Sequence, residues 1–265
     1  MKLIPLFLIL FALLGCDSSK NLAALCKDNP QICQEFGEDS WCKSERNNVS
    51  LSRIVLKTQK LEAQKYPLLV AYEEYIKCMS LASQIQHIKL KEKTTLRKNN
   101  LYKAQAKLAE LTSEVANSKH PHLLFYRWSR ASDRAALQQF LQLEGSADLE
   151  DTISQHNLAT YYVKKDIKKT LGLLFHALEL QNPKEKLMPE ILQTLATIFA
   201  NKDKPKQAYI WLKAYQLTLK KKDQRVETSL QQLIKGYGLD GEFLNQVAVN
   251  TLENIKKGKF KAPKF

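Results

Sequence analysis

Four cysteines in the first third of the chain carry the clearest chemistry in this sequence. Cys26, Cys33, Cys42 and Cys78 are separated by 7, 9 and 36 residues. No pair has C-x-x-C spacing, which argues against a thioredoxin-type redox pair and against a zinc site. In an exported protein an even number of cysteines predicts two disulfides, for which three connectivities are possible. We favour Cys26–Cys33, which closes the shortest loop across a turn at residues 28–30, and hence Cys42–Cys78.

Glycines and histidines form two weaker groupings. Gly236, Gly238 and Gly241 match the G-x-G-x-x-G pattern of dinucleotide sites. That pattern must follow a strand, whereas here it lies between two predicted helices, so we interpret it as a turn. His120 and His122 offer two metal ligands, but no third ligand has a suitable spacing, and we interpret them as part of a solvated loop. We therefore predict no cofactor and no metal.

Carboxylates beside the cysteines are the remaining candidates for acid/base chemistry. Glu35, Glu38 and Asp39 lie close together in the sequence, where a solvated turn is the favoured interpretation. No G-x-S-x-G or H-E-x-x-H motif occurs. We therefore predict no catalytic residue and no enzyme.

The composition and periodicity of the chain predict an all-α fold. Only 8 Gly and 8 Pro occur in 265 residues, which disfavours turn-rich β-sandwiches and barrels, and the 44% hydrophobic content can form a core. A charged helix is expected over residues 51–65, after an N-cap at Asn48 or Ser50. Residues 91–116 have a regular apolar helical face, and Arg97 lies among lysines on the opposite, charged face.

The N-terminus predicts export and a lipid anchor. After Lys2, the apolar run 3–14 has twelve residues and would rise about 18 Å as a helix, too short for a bilayer core of about 30 Å. It therefore has the length of a signal-peptide core. The run ends in Leu13-Leu14-Gly15-Cys16, which resembles the lipobox of bacterial lipoproteins. The resemblance implies that Cys16 is acylated and becomes the mature N-terminus, and Asp17 slightly favours the inner membrane.

The cysteine-rich segment also resembles a known family. Its pattern is Cys26-x3-Pro30-x2-Cys33, followed by Asp39-Ser40-Trp41-Cys42-x2-Glu45-Arg46. It is similar to an uncharacterised family of bacterial lipoproteins defined by a domain of unknown function. The resemblance covers most of the mature chain and implies an exported lipoprotein with no known activity.

A degenerate repeat occupies the second half of the chain. The units are Leu158-Ala159-x2-Tyr162 with Phe175 and Pro183, Leu195-Ala196-x2-Phe199 with Ala208-x3-Leu212, and Leu123-Leu124 with Ala136-x3-Phe140. The unit starts lie 35 and 37 residues apart, and the pattern resembles the tetratricopeptide repeat. The resemblance implies an α-solenoid of helical hairpins with a concave, protein-binding face. The alternative is an irregular α-bundle.

The repeat resemblance also implies which residues face a partner. On the first helix of each hairpin, Tyr161, Lys165, Thr197 and Asn201 fall outside the core positions. We therefore expect these four residues to lie on the partner-binding face.

The charge balance points to anionic surroundings. Lys+Arg number 41 and Asp+Glu 27, for a net charge of +14. Export removes nucleic acid as a partner, which leaves anionic lipid, lipopolysaccharide phosphates or wall polymers as ligands of the basic clusters. The other interpretation is a solvated surface that keeps the protein soluble.

Together these features predict five segments and one function. The segments are a signal peptide (1–15), a tether with the cysteine-rich region (16–49), N-terminal helices (50–118), helical repeats (119–257) and a disordered basic tail (258–265). We expect a lipid-anchored adaptor that faces the periplasm and binds another envelope protein or peptide. The alternative is a cell-envelope enzyme, or a regulator of one, acting on wall or lipid through an unrecognised site.

Overall fold

The computed structural model describes residues 18–263, which form helices and contain no strand. The all-α prediction is confirmed. The chain divides after Leu123 into two compact units, called here unit 1 and unit 2. No helix among the described residues is both long and apolar enough to span a bilayer.

Unit 1 is built on three long helices. Its helices are α1 (Ser18–Asp28), α2 (Pro30–Cys33), α3 (Lys43–Gln59), α4 (Lys65–Ala82) and α5 (Lys91–Glu114). Helix α4 packs on both α3 and α5. The core of unit 1 contains Tyr72, Tyr75 and Met79. The ring of Phe36 packs edge to face on that of Tyr75, with centroids 5.0 Å apart. The segment before α3 therefore contributes directly to this core.

The predicted start of α3 near Asn48 or Ser50 is wrong. The helix begins at Lys43, so both residues lie inside it, and the expected segment boundary at 49/50 falls within a helix. Val49 and Ser50 are buried. Packing of this first part of the helix against its neighbours therefore outweighs the local preference of Asn and Ser for helix ends.

Unit 2 is an array of shorter helices packed in adjacent pairs. They are α6 (Pro121–Ala131, whose first three residues belong to unit 1), α7 (Arg134–Gln142), α8 (Thr152–Tyr162), α9 (Ile167–Glu179), α10 (Pro189–Asn201), α11 (Pro205–Gln216), α12 (Gln224–Tyr237) and α13 (Gly241–Lys256). Helix α8 packs on α9 and α10 packs on α11, while α12 and α13 both pack on α11. Ala136, Ala159, Ala196 and Ala208 are all buried, as expected where helices cross closely.

An aspartate recurs at the turns within these pairs. Asp133, Asp166 and Asp240 each cap the second helix, with a side-chain oxygen that accepts a backbone N–H within 3.0 Å. Asp203 lies at the equivalent turn, where it adopts a positive φ of 52° and Pro205 opens α11. The aspartates follow one another after 33, 37 and 37 residues. This periodicity is independent of the apolar repeat and locates the same turns.

The C-terminal segment is ordered up to Ala262, so the prediction of a disordered tail is wrong for these residues. Phe260 is buried, and its ring stacks on Phe175 with centroids 6.3 Å apart. The backbone N–H of Ala262 donates a hydrogen bond of 2.8 Å to Glu179 Oε1. Burial of the Phe260 ring and the hydrogen bond at Ala262 both oppose the entropy cost of ordering this segment.

Candidate functional site

Both predicted disulfides are present, and the predicted pairing is confirmed. Cys26–Cys33 joins α1 to α2, and Cys42–Cys78 joins the residue that precedes α3 to the last part of α4. The sulfurs of Cys42 and Cys78 lie close to the Glu45 carboxylate, an arrangement that resembles a metal site. Because both sulfurs are held in the disulfide, neither is available as a thiolate ligand. Cys16, the predicted lipidation site, lies outside the described residues.

The segment between the two disulfides is held by a buried ion pair. The Arg97 guanidinium binds the Asp39 carboxylate, and both side chains are almost fully buried. Arg97 Nη1 also donates to the carbonyl oxygen of Ala82 at 3.1 Å, and the guanidinium lies 5.4 Å from the centre of the Trp41 ring. The hydrogen bond from Arg97 is the main cause that holds the pKa of Asp39 below its usual value.

This arrangement overturns two expectations. Arg97 was expected on the solvent face of α5, and Asp39 in a solvated turn. Instead, the two side chains are buried together as an ion pair. The neighbouring Glu35 forms an ion pair with Arg53. Asp39 and Glu35 therefore each form an ion pair with an arginine side chain instead of forming an acid/base pair with each other.

A second contact fixes the same segment to α5. The backbone N–H of Gly37 donates to Asn100 Oδ1 at 3.0 Å, and Asn100 Nδ2 donates back to the Gly37 carbonyl at 2.9 Å. Arg46 Nη1 donates to that carbonyl as well, at 3.2 Å. A Cβ at position 37 would lie 2.2 Å from Leu96 Cδ1, so a larger residue there would require the Leu96 side chain to move. Gly37, Asn100 and Arg46 thus have structural roles.

The glycine and histidine groupings have structural explanations too. Gly238 ends α12 with a left-handed φ of 60°, and Gly241 is the first residue of α13. This is the predicted turn between two helices. The His120 and His122 rings pack edge to face, with centroids 4.9 Å apart, and His122 also contacts the ring of Tyr66. The histidines are therefore partly packed, which differs from the solvated loop expected from the sequence.

One groove in unit 2 lies between α10 and the turn from α8 to α9. Its volume is about 560 Å³. The aliphatic side chains of Val163, Ile167 and Ile198 contribute apolar surface. Polar and charged groups complete the lining: Lys164, Glu190, Gln193, Thr194, Thr197, Asn201 and Lys202. Two of the four residues predicted to face a partner, Thr197 and Asn201, are therefore in this groove.

A second groove of about 380 Å³ lies on the other side of α10. It is bordered by α11 and α12, with Leu212, Leu233 and Tyr237 among its lining residues. Thr197 lines both grooves. The two together are called here the α10 grooves. Exposed side chains of α10, such as Thr197, therefore have a groove on each side.

The other two predicted residues, Tyr161 and Lys165, form a separate cluster. Lys165 Nζ lies 3.4 Å from the centre of the Tyr161 ring, which also packs edge to face on Trp128 and Tyr162. Neither residue lines the α10 grooves. Their neighbours Val163 and Lys164, just after the end of α8, line the first groove instead.

Two lining residues, Glu190 and Gln193, were missed although the sequence contains a signal for them. Glu190, Gln193, Thr197 and Asn201 are spaced by three or four residues and therefore share one face of α10. A polar stripe of this kind can be recognised without a structure. The contribution of Val163 from another helical pair requires knowledge of the fold.

These features define an all-α protein of paired helices, consistent with a helical-repeat fold. The chain belongs to the family described as protein of unknown function (DUF2989), whose model matches residues 13–213. The match covers the described part of unit 1 and continues into α11. Comparisons with curated proteins and with solved structures gave no match.

Proposed function

We propose that the protein is a lipid-anchored, periplasmic adaptor that binds an extended peptide segment of another envelope protein in the α10 grooves. The lipobox-like sequence before Cys16 supports the anchor. The two disulfides support an oxidising compartment. The observation that carries the binding role is the polar stripe of α10 between two grooves.

The geometry of this stripe suits an extended backbone. Gln193, Thr197 and Asn201 follow one another at four-residue intervals, a rise of about 6 Å each along a helix. Two residues of an extended peptide span about 6.6–6.8 Å, so every second peptide unit would meet one of these side chains. Thr197 Oγ1 donates to the Gln193 carbonyl at 3.0 Å and keeps acceptor capacity on its oxygen. Amide side chains can both donate to and accept from a peptide backbone.

The surroundings of the stripe supply a place for side chains. Val163, Ile167 and Ile198 offer apolar surface beside it, and Leu212 and Leu233 do so in the second groove. Lys164 and Lys202 contribute positive charge, and Glu190 negative charge. The repeat resemblance supports the same face, since first helices of tetratricopeptide-like hairpins line a concave surface.

Site-specific photocrosslinking in cells tests the binding role. A benzoylphenylalanine residue is placed at position 201, in the groove, or at position 207, an exposed site on α11 that lines neither groove. We expect a discrete protein adduct from position 201 that disappears when Thr197→Arg is added. Adducts of equal yield from position 207, or an adduct insensitive to Thr197→Arg, would rule out the grooves as the binding site.

The anchor is tested by intact mass. Protein extracted from membranes should begin at Cys16 and carry the mass of acyl chains, and Cys16→Ser should abolish both. A mature species without acyl mass contradicts the anchor while leaving the groove test unaffected.

A further inference from the structure

Exposed apolar side chains gather at one end of unit 1. Ile88 is 91% exposed, Leu81 64% and Trp41 60%, and Leu90 is also exposed. We call these four residues the apolar tip. Single exposed apolar residues are common on protein surfaces, but a group of large ones marks an interaction site.

Covalent and polar contacts bring these residues to the same end. Trp41 precedes Cys42, whose disulfide partner Cys78 lies within one turn of Leu81 on α4. Arg97 connects the two regions, because it contacts the Trp41 ring and also donates to the Ala82 carbonyl.

The connection that carries Ile88 and Leu90 folds against the same part of α5. Thr94 Oγ1 donates to the Ile85 carbonyl at 3.3 Å and accepts a hydrogen bond from the His87 backbone N–H. Thr94 lies one turn before Arg97 on α5. Ile88 and Leu90 are thus held near the end of unit 1 where Trp41 and Leu81 lie.

Positive charge flanks the apolar tip. Lys89, Lys91 and Lys93 alternate with apolar and acidic residues in the run 88–93, and all three lysines are exposed. Glu92 is the single carboxylate in this run. Apolar side chains that project from a basic segment match the layered chemistry of an anionic bilayer surface, where acyl chains lie beneath phosphate headgroups. Trp is also the residue type enriched at that boundary.

We infer that the apolar tip inserts into the headgroup region of a membrane containing anionic lipids, with Ile88 and Leu90 at the acyl boundary and the adjacent lysines on lipid phosphates. This contact goes beyond the proposed adaptor role and does not involve the α10 grooves. It adds a second attachment to the membrane besides the proposed acyl anchor, and would fix the orientation of unit 1 at the surface.

Tryptophan quenching by brominated lipids tests this inference on the full chain. The protein is reconstituted into vesicles of phosphatidylethanolamine and phosphatidylglycerol whose acyl chains carry bromine near the headgroup, and vesicle association is recorded separately by flotation. We expect quenching of at least a third of the emission, lost in Trp41→Phe and retained in Trp128→Phe. Phosphatidylcholine vesicles or 0.5 M salt should reduce the quenching at least twofold.

Matched charge substitutions locate the contact. Ile88→Asp with Leu90→Asp should reduce quenching at least threefold, whereas Leu61→Asp should not change it. Leu61 is 55% exposed and lies just before α4, at the opposite end of that helix from Leu81. Circular dichroism verifies that each variant is folded. The inference is overturned if floated protein shows no quenching, if quenching persists in Trp41→Phe, or if Leu61→Asp has the same effect as the tip substitutions. If a protein and not lipid covers the apolar tip, the floated protein should show no quenching.

Discussion

Unit 1 and unit 2 are both helical, but different interactions hold them together. Unit 1 has two disulfides and the buried pair of Arg97 with Asp39. The Cys42–Cys78 disulfide and the ion pair fix a non-helical segment onto its helices. In unit 2, neighbouring helices pack through buried apolar residues such as Phe175 and Trp211. Specific bonds thus secure an irregular segment in one unit, while repeated apolar packing secures regular pairs in the other.

The difference follows from how each unit provides hydrogen-bond partners for its peptide groups. The segment from residue 34 to 42 forms no helix, so its peptide groups need partners outside it, such as Asn100 for Gly37. Helices satisfy most of their own peptide groups, so unit 2 needs only caps at the turns and complementary apolar surfaces. We therefore expect unit 2 to respond most to the loss of side-chain volume and unit 1 to the loss of individual bonds.

The largest effect is expected from Phe175→Ala. This ring is buried and contacts Phe199, Trp211 and Phe260, so its removal leaves a cavity in unit 2. The free energy of unfolding should fall by about 3–5 kcal/mol. Urea denaturation measures the loss, and hydrogen exchange should assign it to unit 2. Phe175→Leu is the control, with a smaller loss. A loss below about 1 kcal/mol for the alanine variant would show that packing does not dominate here.

Arg97→Met should destabilise unit 1 by about 3–4 kcal/mol, because it leaves the Asp39 carboxylate buried without its partner. Replacing both residues, as Arg97→Met with Asp39→Leu, should recover part of the loss. Amide hydrogen exchange in α5 reports the change. Equal destabilisation of the single and double variants would contradict a role for the charge pair.

The same pair predicts a pH dependence. The pKa of Asp39 lies below its ordinary value of 3.8 in the folded protein, mainly because of the hydrogen bond from Arg97. Its contribution to stability is therefore complete above about pH 4 and is lost as the pH falls through the folded-state pKa. In Arg97→Met the unpaired carboxylate is protonated more easily, so the difference from wild type should shrink in acid. A difference that is constant from pH 7 to pH 3 would refute this.

The Cys42–Cys78 disulfide should contribute about 3–4 kcal/mol, since it closes a loop of 36 residues. Substituting both cysteines by serine is expected to speed hydrogen exchange in α3 and α4 and to leave unit 2 unchanged. The Cys26–Cys33 disulfide closes a loop of only 7 residues, so replacing these two cysteines by serine should lower the free energy of unfolding by less, about 2 kcal/mol. A larger loss for the shorter loop would contradict this account.

The smallest effect is expected at a helix cap. Asp240 accepts a hydrogen bond of 3.0 Å from the backbone N–H of Phe243, so Asp240→Ala should cost about 1 kcal/mol. Asn250→Ala, on the exposed face of the same helix, is the control and should be neutral or slightly stabilising. Thermal unfolding followed by circular dichroism compares the two variants. Equal changes would mean that the recurring aspartate has no capping role.

The sequence was sufficient for the features that depend on local pattern. Low glycine and proline content, helical periodicity and the shortest-loop argument led to the all-α fold and the disulfide pairing. The burial of Arg97 could not be foreseen, since its partner Asp39 is 58 residues away and a cation among lysines is typical of a solvated face. Phe260 was missed for a similar reason: the lysines around it indicate exposure, and its binding surface forms only after unit 2 has folded.

In the candidate site, too, local sequence pattern predicts some residues, whereas the position of others depends on packing between helices. Thr197 and Asn201, which line the grooves, were chosen because they lie on the face of α10 opposite its core positions, and this follows from helical geometry alone. Tyr161 and Lys165 were chosen by the same rule but contact each other outside the grooves. Side-chain packing at the end of α8 decides which residues reach the groove, and such packing is not encoded in spacing.

Binding of a peptide to the α10 grooves is the central claim, and calorimetry tests it most directly. The segment crosslinked at position 201 is synthesised and titrated into wild-type protein, Thr197→Arg and Gln207→Arg. The account predicts one bound peptide per chain, at least tenfold weaker affinity for Thr197→Arg and unchanged affinity for Gln207→Arg. Equal affinity for all three proteins, or an equal loss in both variants, would contradict it.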